Sequence, residues 1–509
     1  MSSSADILTG QAGLREALGL KRPAPAVRSV VGPGVRRTVI DHAQVLERYP
    51  PSYLSETSII GHLRFALKNE PLDLGLLAAA FDRIDPSLVE AWVQGEPTGA
   101  YARRAWFLWE WLTGRPLALP DSGPVAYAEA LDPRLHLTAK PKPSRRHRVN
   151  DNIPGVPGYA PMVRRTKKIE ALQAQGIDAE ARALVAGCDP TLLARAVGYL
   201  YTKETKSSFA IEREAATGQR AERFVAALRA SRLFDPTNAA SLVELQNIIV
   251  DPRYAERQYR GDQNFVGETL GGYREHVHFV CPRPDDVGAL MADWMAMTRR
   301  IAGATDAVVA AVLVGFGFVF IHPFDDGNGR IHRFLLHHVL AAEGFTPPDV
   351  LFPVSAAIVR DQRAYDEALN SFSQSIAPFI DWHWTSGQTI KVTNETAHLY
   401  RYFDATPLVE FLYEKVAETV RKDLREELEF LGLYDQALLA TKDVVDMPDR
   451  RASLLVRLML QNHGRLSKSK RPQFAEIADT EIAAIEVAIQ CVLTDHAAAH
   501  QQLPGKDAD

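Results

Sequence analysis

The chain has 509 residues, 46% of them hydrophobic and 24% charged, a composition that excludes collagen-like, disulfide-scaffold and fully disordered classes. Its 58 basic and 63 acidic residues leave a net charge of −5, so no overall basic field points to nucleic acid or to an anionic membrane. Length alone sets a prior of about three domains. Three distant cysteines, Cys188, Cys281 and Cys491, form no metal-binding pair and argue for a reducing compartment. The first ten residues lack a basic stretch followed by an apolar core, the mark of a secretory signal. Together these features predict a cytoplasmic protein.

Helix-like periodicity, broken by proline, runs to about residue 137, as in 55–66 and 72–81, and ends in the aromatic-rich stretch 102–113. Residues 140–161 hold five prolines, two glycines and the basic cluster Lys140, Lys142, Arg145, Arg146 and Arg148. That density reads as a solvated linker. Asp189 and Pro190 form an N-cap and first-turn pair, and helical signals follow to about 217 and again over 221–250. The pattern then changes: Phe265-Val266-Gly267 and 276–280 flank a turn containing Gly271-Gly272, which predicts a β-hairpin. Pro282 and Pro284 end it, and Asp285 or Asp286 can cap the next helix.

The most apolar run, AVVAAVLVGFGFVFI over 307–321, is short of the roughly 20 residues a spanning helix needs. It contains Gly315 and Gly317 and predicts a helix buried on all sides. Amphipathic segments follow at 408–431 and 477–493, with a second basic patch over 465–471 that reads as a solvated turn. The predicted fold is mainly α with one small β-hairpin. Its segments are an N-terminal helical extension (1–139), a proline-rich and basic linker with a helical connector (140–188), a central core (189–390) and a C-terminal helical domain (391–509).

The chemistry is concentrated directly after the apolar run, in His322-Pro-Phe-Asp-Asp-Gly-Asn-Gly-Arg-Ile-His-Arg333. Gly327, Asn328 and Gly329 make a tight turn opening a helix, where free N–H groups and the dipole's positive end favour an anion. Arg330 and Arg333 share one face at that end, and two guanidinium forks there suit a polyphosphate. Asp326 suits Mg²⁺, which takes one or two carboxylates together with phosphate oxygens. His322, with a near-neutral ordinary pKa, can take a proton from an incoming hydroxyl.

HPFDDGNGRIHR matches the signature HPFx[D/E]GNGRxxR at all nine specified positions, a coincidence rarer than about 10⁻⁸ by chance. In this it resembles the Fic family of protein adenylyltransferases, with decreasing sharpness over 191–384. The resemblance implies ATP and Mg²⁺ as cofactors, with AMP transferred to a Ser, Thr or Tyr hydroxyl of a protein. His322 would be the base, Asp326 the Mg²⁺ ligand, and Asn328 with the Gly327 and Gly329 amides the phosphate cradle. Arg330 and Arg333 would bind the β- and γ-phosphates, and Tyr365 would line the adenine site. Phe265, Val266 and Gly267 would belong to a flap over 263–280 that holds the target by strand addition. Glycine at 329, where the phosphorylating Doc-like branch has lysine, favours nucleotidyl transfer over kinase activity, with UMP or GMP as other nucleotides left open.

Upstream, Ser208-Phe-Ala-Ile-Glu212-Arg213 resembles the family's inhibitory motif [S/T]xxxE[G/N], with arginine where glycine or asparagine is usual and Glu214 as a nearby rival. The resemblance implies that Ser208 and Glu212 regulate the site, Glu212 occupying Arg333 in place of the γ-phosphate, or that the same glutamate supports AMP removal. His332, His337 and His338 do not have the spacing of a zinc site. The expected partner is a protein substrate, the chain itself included, with no membrane or nucleic acid and with a homo-oligomer left open. The competing class is a regulatory protein that binds nucleotide without transferring it.

Overall fold

The computed structural model describes residues 6–41, 44–53, 56–216, 218–270, 274–386 and 389–501. The Gly271-Gly272 turn and the first five residues lie outside them. The chain is mostly helical with small sheets, and it divides into two compact units: Met1–Ala179 with Tyr201–Ala417, and Glu180–Leu200 with Glu418–Asp509.

In the first unit, the hairpin expected around 265–280 is one of four small sheets among the described residues. Near the N-terminus, Ile7–Thr9 pairs antiparallel with Val27–Val31, which runs parallel to Gln44–Tyr49, and Arg37–Asp41 completes the sheet. These strands are short, and the helical periodicity around them masks their alternation. Helices Ile59–Asn69, Leu74–Phe81 and Ala100–Thr113 close a core containing Leu63, Leu77, Trp106 and Trp109. Ser58 and Asp73 cap the first two by accepting from the Gly61 and Leu76 amides.

Residues 140–161, read from composition as a solvated linker, are pinned to this core. Lys142–Ser144 pairs with Val149–Asp151. Between them Arg146 donates to Glu110 and Asp121 at 3.0 Å each and lies over the Trp106 ring. His147 meets the other Glu110 oxygen at 2.9 Å. The carboxylates that hold this segment lie more than twenty residues away in sequence, so composition alone could not reveal them.

Helix Ala307–Ile321 is buried along nearly its whole length. The Asp306 carboxylate accepts from the Val308 and Val309 amides at its start. No described helix is long and apolar enough to cross a membrane. Against this helix lies Asn328–Ala342, with the Phe316 and His332 rings 4.4 Å apart. Trp294 and Tyr159 donate to the carbonyls of Val314 and Gly317 and fix the buried helix from its other sides.

In the second unit, helices Arg425–Val444, Asp449–Leu460 and Asp479–Gln501 surround Leu455, Val456, Met459, Phe474, Ile485 and Ile489. Arg471, from the basic patch, pairs with Asp479 and donates to the Phe474 and Ile477 carbonyls.

The two central helices touch closely where the chain has Gly315. A Cβ there would stand 2.6 Å from Leu336 Cδ2 and 3.2 Å from His332 Nδ1. Gly315→Val is expected to lower unfolding stability by about 1–3 kcal/mol, the cost of overpacking, measured by denaturant titration.

Candidate active site

His322 ends the buried helix in a left-handed conformation, φ 54° and ψ 58°, with its N–H bonded to the Phe318 carbonyl. A non-glycine residue pays for such a backbone, and the surrounding structure must impose it. The ring is half-buried, with Nδ1 3.2 Å from the Val319 carbonyl oxygen. A carbonyl can only accept, so Nδ1 carries the proton and Nε2 has the free lone pair. Burial, then the Arg260 charge, push the imidazole down to about 4, against the opposing pull of the Val319 carbonyl, Glu212 and Asp326. The ring is therefore neutral at pH 7 and able to accept a proton.

The turn that follows is organised by the side chain of Asn328. Its Oδ1 accepts from the Phe324 N–H at 3.1 Å and its Nδ2 donates to the Phe324 carbonyl at 2.7 Å. The side-chain amide expected in the phosphate cradle thus holds the loop in shape. Gly327 adopts φ +90°, and a Cβ there would stand 3.0 Å from Val250 Cγ1, so glycine is required on both counts. Asp326 Oδ1 accepts from the Gly327 amide at 2.6 Å and from Arg330 at 3.0 Å, and its carboxylate is exposed. As a hard oxygen donor open to solvent, Asp326 fits Mg²⁺ arriving with a nucleotide. Among the described residues, no group of three or more His, Cys, Asp or Glu side chains is placed to hold a metal ion.

Arg330 and Arg333 each have 1% of their side chain exposed. Arg330 donates to Glu214 at 3.1 Å and to Asp326 and lies over the Phe209 ring. Arg333 donates to the Ser208 hydroxyl at 2.9 Å, the Ser208 carbonyl at 2.8 Å and Glu212 Oε1 at 2.8 Å. Burial works against the Glu212 charge, but Arg333 outweighs it and holds the carboxyl below its ordinary range. At Gly329 a Cβ would run into the Glu212 carboxylate. Tyr365 is buried behind Arg333, parallel to the His332 ring at 6.3 Å, its hydroxyl pushed up to about 12 by burial.

These contacts form a polar ladder. Glu204, Ser208 and Glu212 recur every four residues along and just past helix Pro190–Ile211, one per turn on one face. They meet His337, Arg333 and Gly329, spaced by four in the reverse direction on Asn328–Ala342. Glu204 stands 2.8 Å from His337 Nε2 and accepts from the Ser355 amide at 2.9 Å. His338 donates to the Ser231 carbonyl.

The end of helix Pro190–Ile211 accounts for the departure at Arg213. The Glu214 N–H bonds to the Phe209 carbonyl and the Arg213 N–H to the Ala210 carbonyl, with Arg213 at φ 58°. This pair of bonds is the Schellman ending, whose left-handed residue is usually glycine or asparagine. The motif's G/N position is thus a backbone requirement, which Arg213 meets at a steric cost, and the ending leaves Glu212 aimed at Arg333.

Strand Phe265–Leu270 pairs with Arg274–Val280, with a bulge between Val266 and Gly267. A Cβ on Gly267 would stand 2.5 Å from the His276 carbonyl oxygen, so the bulge needs glycine. Phe265 packs edge-on against Trp384, and Val266 is exposed. The sheet has two strands among the described residues, leaving the outer edge of Phe265–Leu270 unpaired. Asn264, just before this strand, donates to the Asp325 carbonyl at 3.2 Å.

Two contributors escaped the sequence reading. Glu256 accepts from the Asp325 amide at 2.9 Å, and burial, with the nearby Asp325 and Asp326 charges adding to it, raises its pKa. Arg260 donates to the His322 carbonyl at 2.7 Å. Neither lies in a recognisable pattern, and both act through main-chain atoms more than sixty residues on. Cys281 is buried, and its thiol is pushed up to about 12 by burial, which leaves it inert at neutral pH.

Residues 236–340, which contain this turn, both arginines and the hairpin, match the Fic/DOC family. The likeness to that family lies in this segment. It is 32% identical over 127 residues to a protein adenylyltransferase Fic of Nematostella vectensis, covering 24% of this chain and 25% of that one. It is 38% identical over 64 residues to protein adenylyltransferase fic-1 of Caenorhabditis briggsae, covering 13% and 12%. The chain thus spans a quarter or less of these curated relatives. A Fic family protein from Desulfovibrio desulfuricans superposes with a TM-score of 0.37 at 20% identity, over 58% of this chain and 88% of its own. A Fic domain containing signaling protein from Bacteroides thetaiotaomicron gives 0.36 at 18%, over 51% and 97%.

Arg213→Gly removes a left-handed arginine and is expected to slow amide exchange over residues 208–214 by about threefold to tenfold, matching the 1 kcal/mol scale of that strain.

Proposed function

We propose that this chain is a protein adenylyltransferase that moves AMP from ATP to a Ser, Thr or Tyr hydroxyl of a protein, and that Glu212 holds it in check. The observation that carries this reading is a neutral histidine, its Nε2 lone pair free, beside a helix N-terminus bearing two buried arginines. In the reaction, the target oxygen forms a bond to the α-phosphorus as the bond from that phosphorus to the bridging β-phosphate oxygen breaks. The hydroxyl proton passes to His322 Nε2 and pyrophosphate leaves. Arg330 and Arg333 suit the β- and γ-phosphates, and Asp326 would hold the Mg²⁺ that neutralises phosphate charge. The unpaired edge of Phe265–Leu270 suits an extended target segment, held by main-chain hydrogen bonds.

Glu212 supports the second half of the proposal, because its carboxylate occupies the donor of Arg333 that a γ-phosphate would use. Such charge-assisted bonds are worth about 1.5–3 kcal/mol, so Glu212→Gly should raise transfer of α-³²P label from ATP by about tenfold to a hundredfold. Glu214→Gly, which frees only one of the partners of Arg330, should raise it less. Equal activity of the Glu212 variant and the parent would refute the brake.

His322→Ala in the Glu212→Gly background should cut transfer at least about a hundredfold with ATP affinity nearly unchanged. Label from γ-³²P ATP in place of α-³²P would mean kinase chemistry, and label from neither would favour nucleotide binding without transfer. Protonation removes the base, and the imidazole is depressed from 6.5 to about 4. The acidic limb of the pH–rate profile should therefore fall near pH 4, with the rate independent of His322 protonation above pH 6.

A further inference from the structure

Arg260 has 4% of its surface exposed, yet among the described residues no carboxylate pairs with it. All its partners are main-chain carbonyls. Nε donates to His322, one terminal nitrogen to Asp262 and the other to Pro282, each at 2.7 Å, while its own backbone N–H donates to Pro323 at 2.8 Å. One side chain thus joins three separate pieces of chain: the left-handed turn at His322, the segment entering the hairpin, and the segment leaving it. A buried cation without a paired anion is expensive, and burial lowers the pKa of Arg260 against the opposing pull of the nearby Asp325 and Glu256 charges. Core packing alone would be served by an apolar residue.

We propose that Arg260 is a positioning residue that fixes the strained His322 backbone and couples it to both ends of the hairpin Phe265–Leu270 and Arg274–Val280. This rests on the reading of His322 as the base. The guanidinium's rigid, planar donor set reaches three carbonyls at once, which an ammonium on a flexible stem does not. Any shift of the hairpin as a target segment docks is therefore transmitted to the carbonyl of the residue that takes the target's proton. The charge has a second effect, because it faces the imidazole and favours its neutral form. The opposing charges on that ring are Glu212, from the end of helix Pro190–Ile211, and Asp326, from the signature turn.

The test uses the full chain with Arg260→Lys, which keeps the charge and loses the fork, and Arg260→Gln, which keeps an amide donor and loses the charge. Amide exchange is measured over 262–282 and 322–328, and the His322 ring is titrated by NMR, its resonance assigned from His322→Ala. Both variants should speed exchange in both segments together. Arg260→Gln alone should raise the His322 midpoint, by about one unit. In the Glu212→Gly background, both should lower kcat about tenfold or more while the KM for ATP stays within twofold. Exchange unchanged in both variants, or accelerated in only one segment, overturns the coupling, whatever the titration shows. If the Glu212→Gly parent transfers no label, the reading of His322 as a base fails, and exchange and titration still decide the role of Arg260.

Discussion

Two guanidinium groups with almost no exposure sit at the start of one helix, and the rest of the site is arranged around their need for anions. Arg330 and Arg333 cannot deprotonate to escape burial, so each must find acceptors. Asp326 and Glu214 serve the first, and Ser208 and Glu212 the second. Groups that bind a polyphosphate must themselves be neutralised when none is present. In the proposed function, the Glu212 carboxylate both stabilises the resting fold and competes with the nucleotide.

The pairing of Glu212 with Arg333 is built from helix geometry. Side chains every four residues on Pro190–Ile211 meet side chains every four residues on Asn328–Ala342, running in the opposite direction, so the pairing registers along two turns. Glu204 with His337 and Ser355 holds the far end. Glu212 lies just past the last helical residue, aimed by a Schellman ending that depends on a left-handed Arg213. Gly329 leaves the space that this carboxylate fills. In the proposed function, that glycine serves two purposes: it lets phosphate approach the helix start, and it lets the checking carboxylate approach when phosphate is absent.

The parts legible in sequence were those whose partners lie close along the chain. The apolar run 307–321 announced a buried helix. The signature could be read because its turn, helix start and arginines fall within twelve residues, and the glycine-bearing hairpin showed its alternation. What escaped is held by distant partners or by backbone conformation. Arg213 looked like a departure from a motif until its φ showed what the motif position requires. Arg260 carries no pattern, since its partners are carbonyls brought together only by the fold. Arg146 and His147 looked like parts of a solvated linker because Glu110, which holds both, lies on a helix far upstream. Asn328 holds the Phe324 backbone with both ends of its amide, a contact that forms only once the turn has folded.

The account's central claim is that the Glu212 carboxylate stands where a nucleotide's terminal phosphate belongs. The most direct measurement is a crystal structure of the Glu212→Gly variant with Mg²⁺ and a non-hydrolysable ATP analogue. The account predicts γ-phosphate oxygens within hydrogen-bond distance of the Arg333 guanidinium, in the place vacated by the carboxylate, with the α-phosphorus facing His322 Nε2. Phosphates bound elsewhere, with Arg333 still paired only to Ser208, would contradict it.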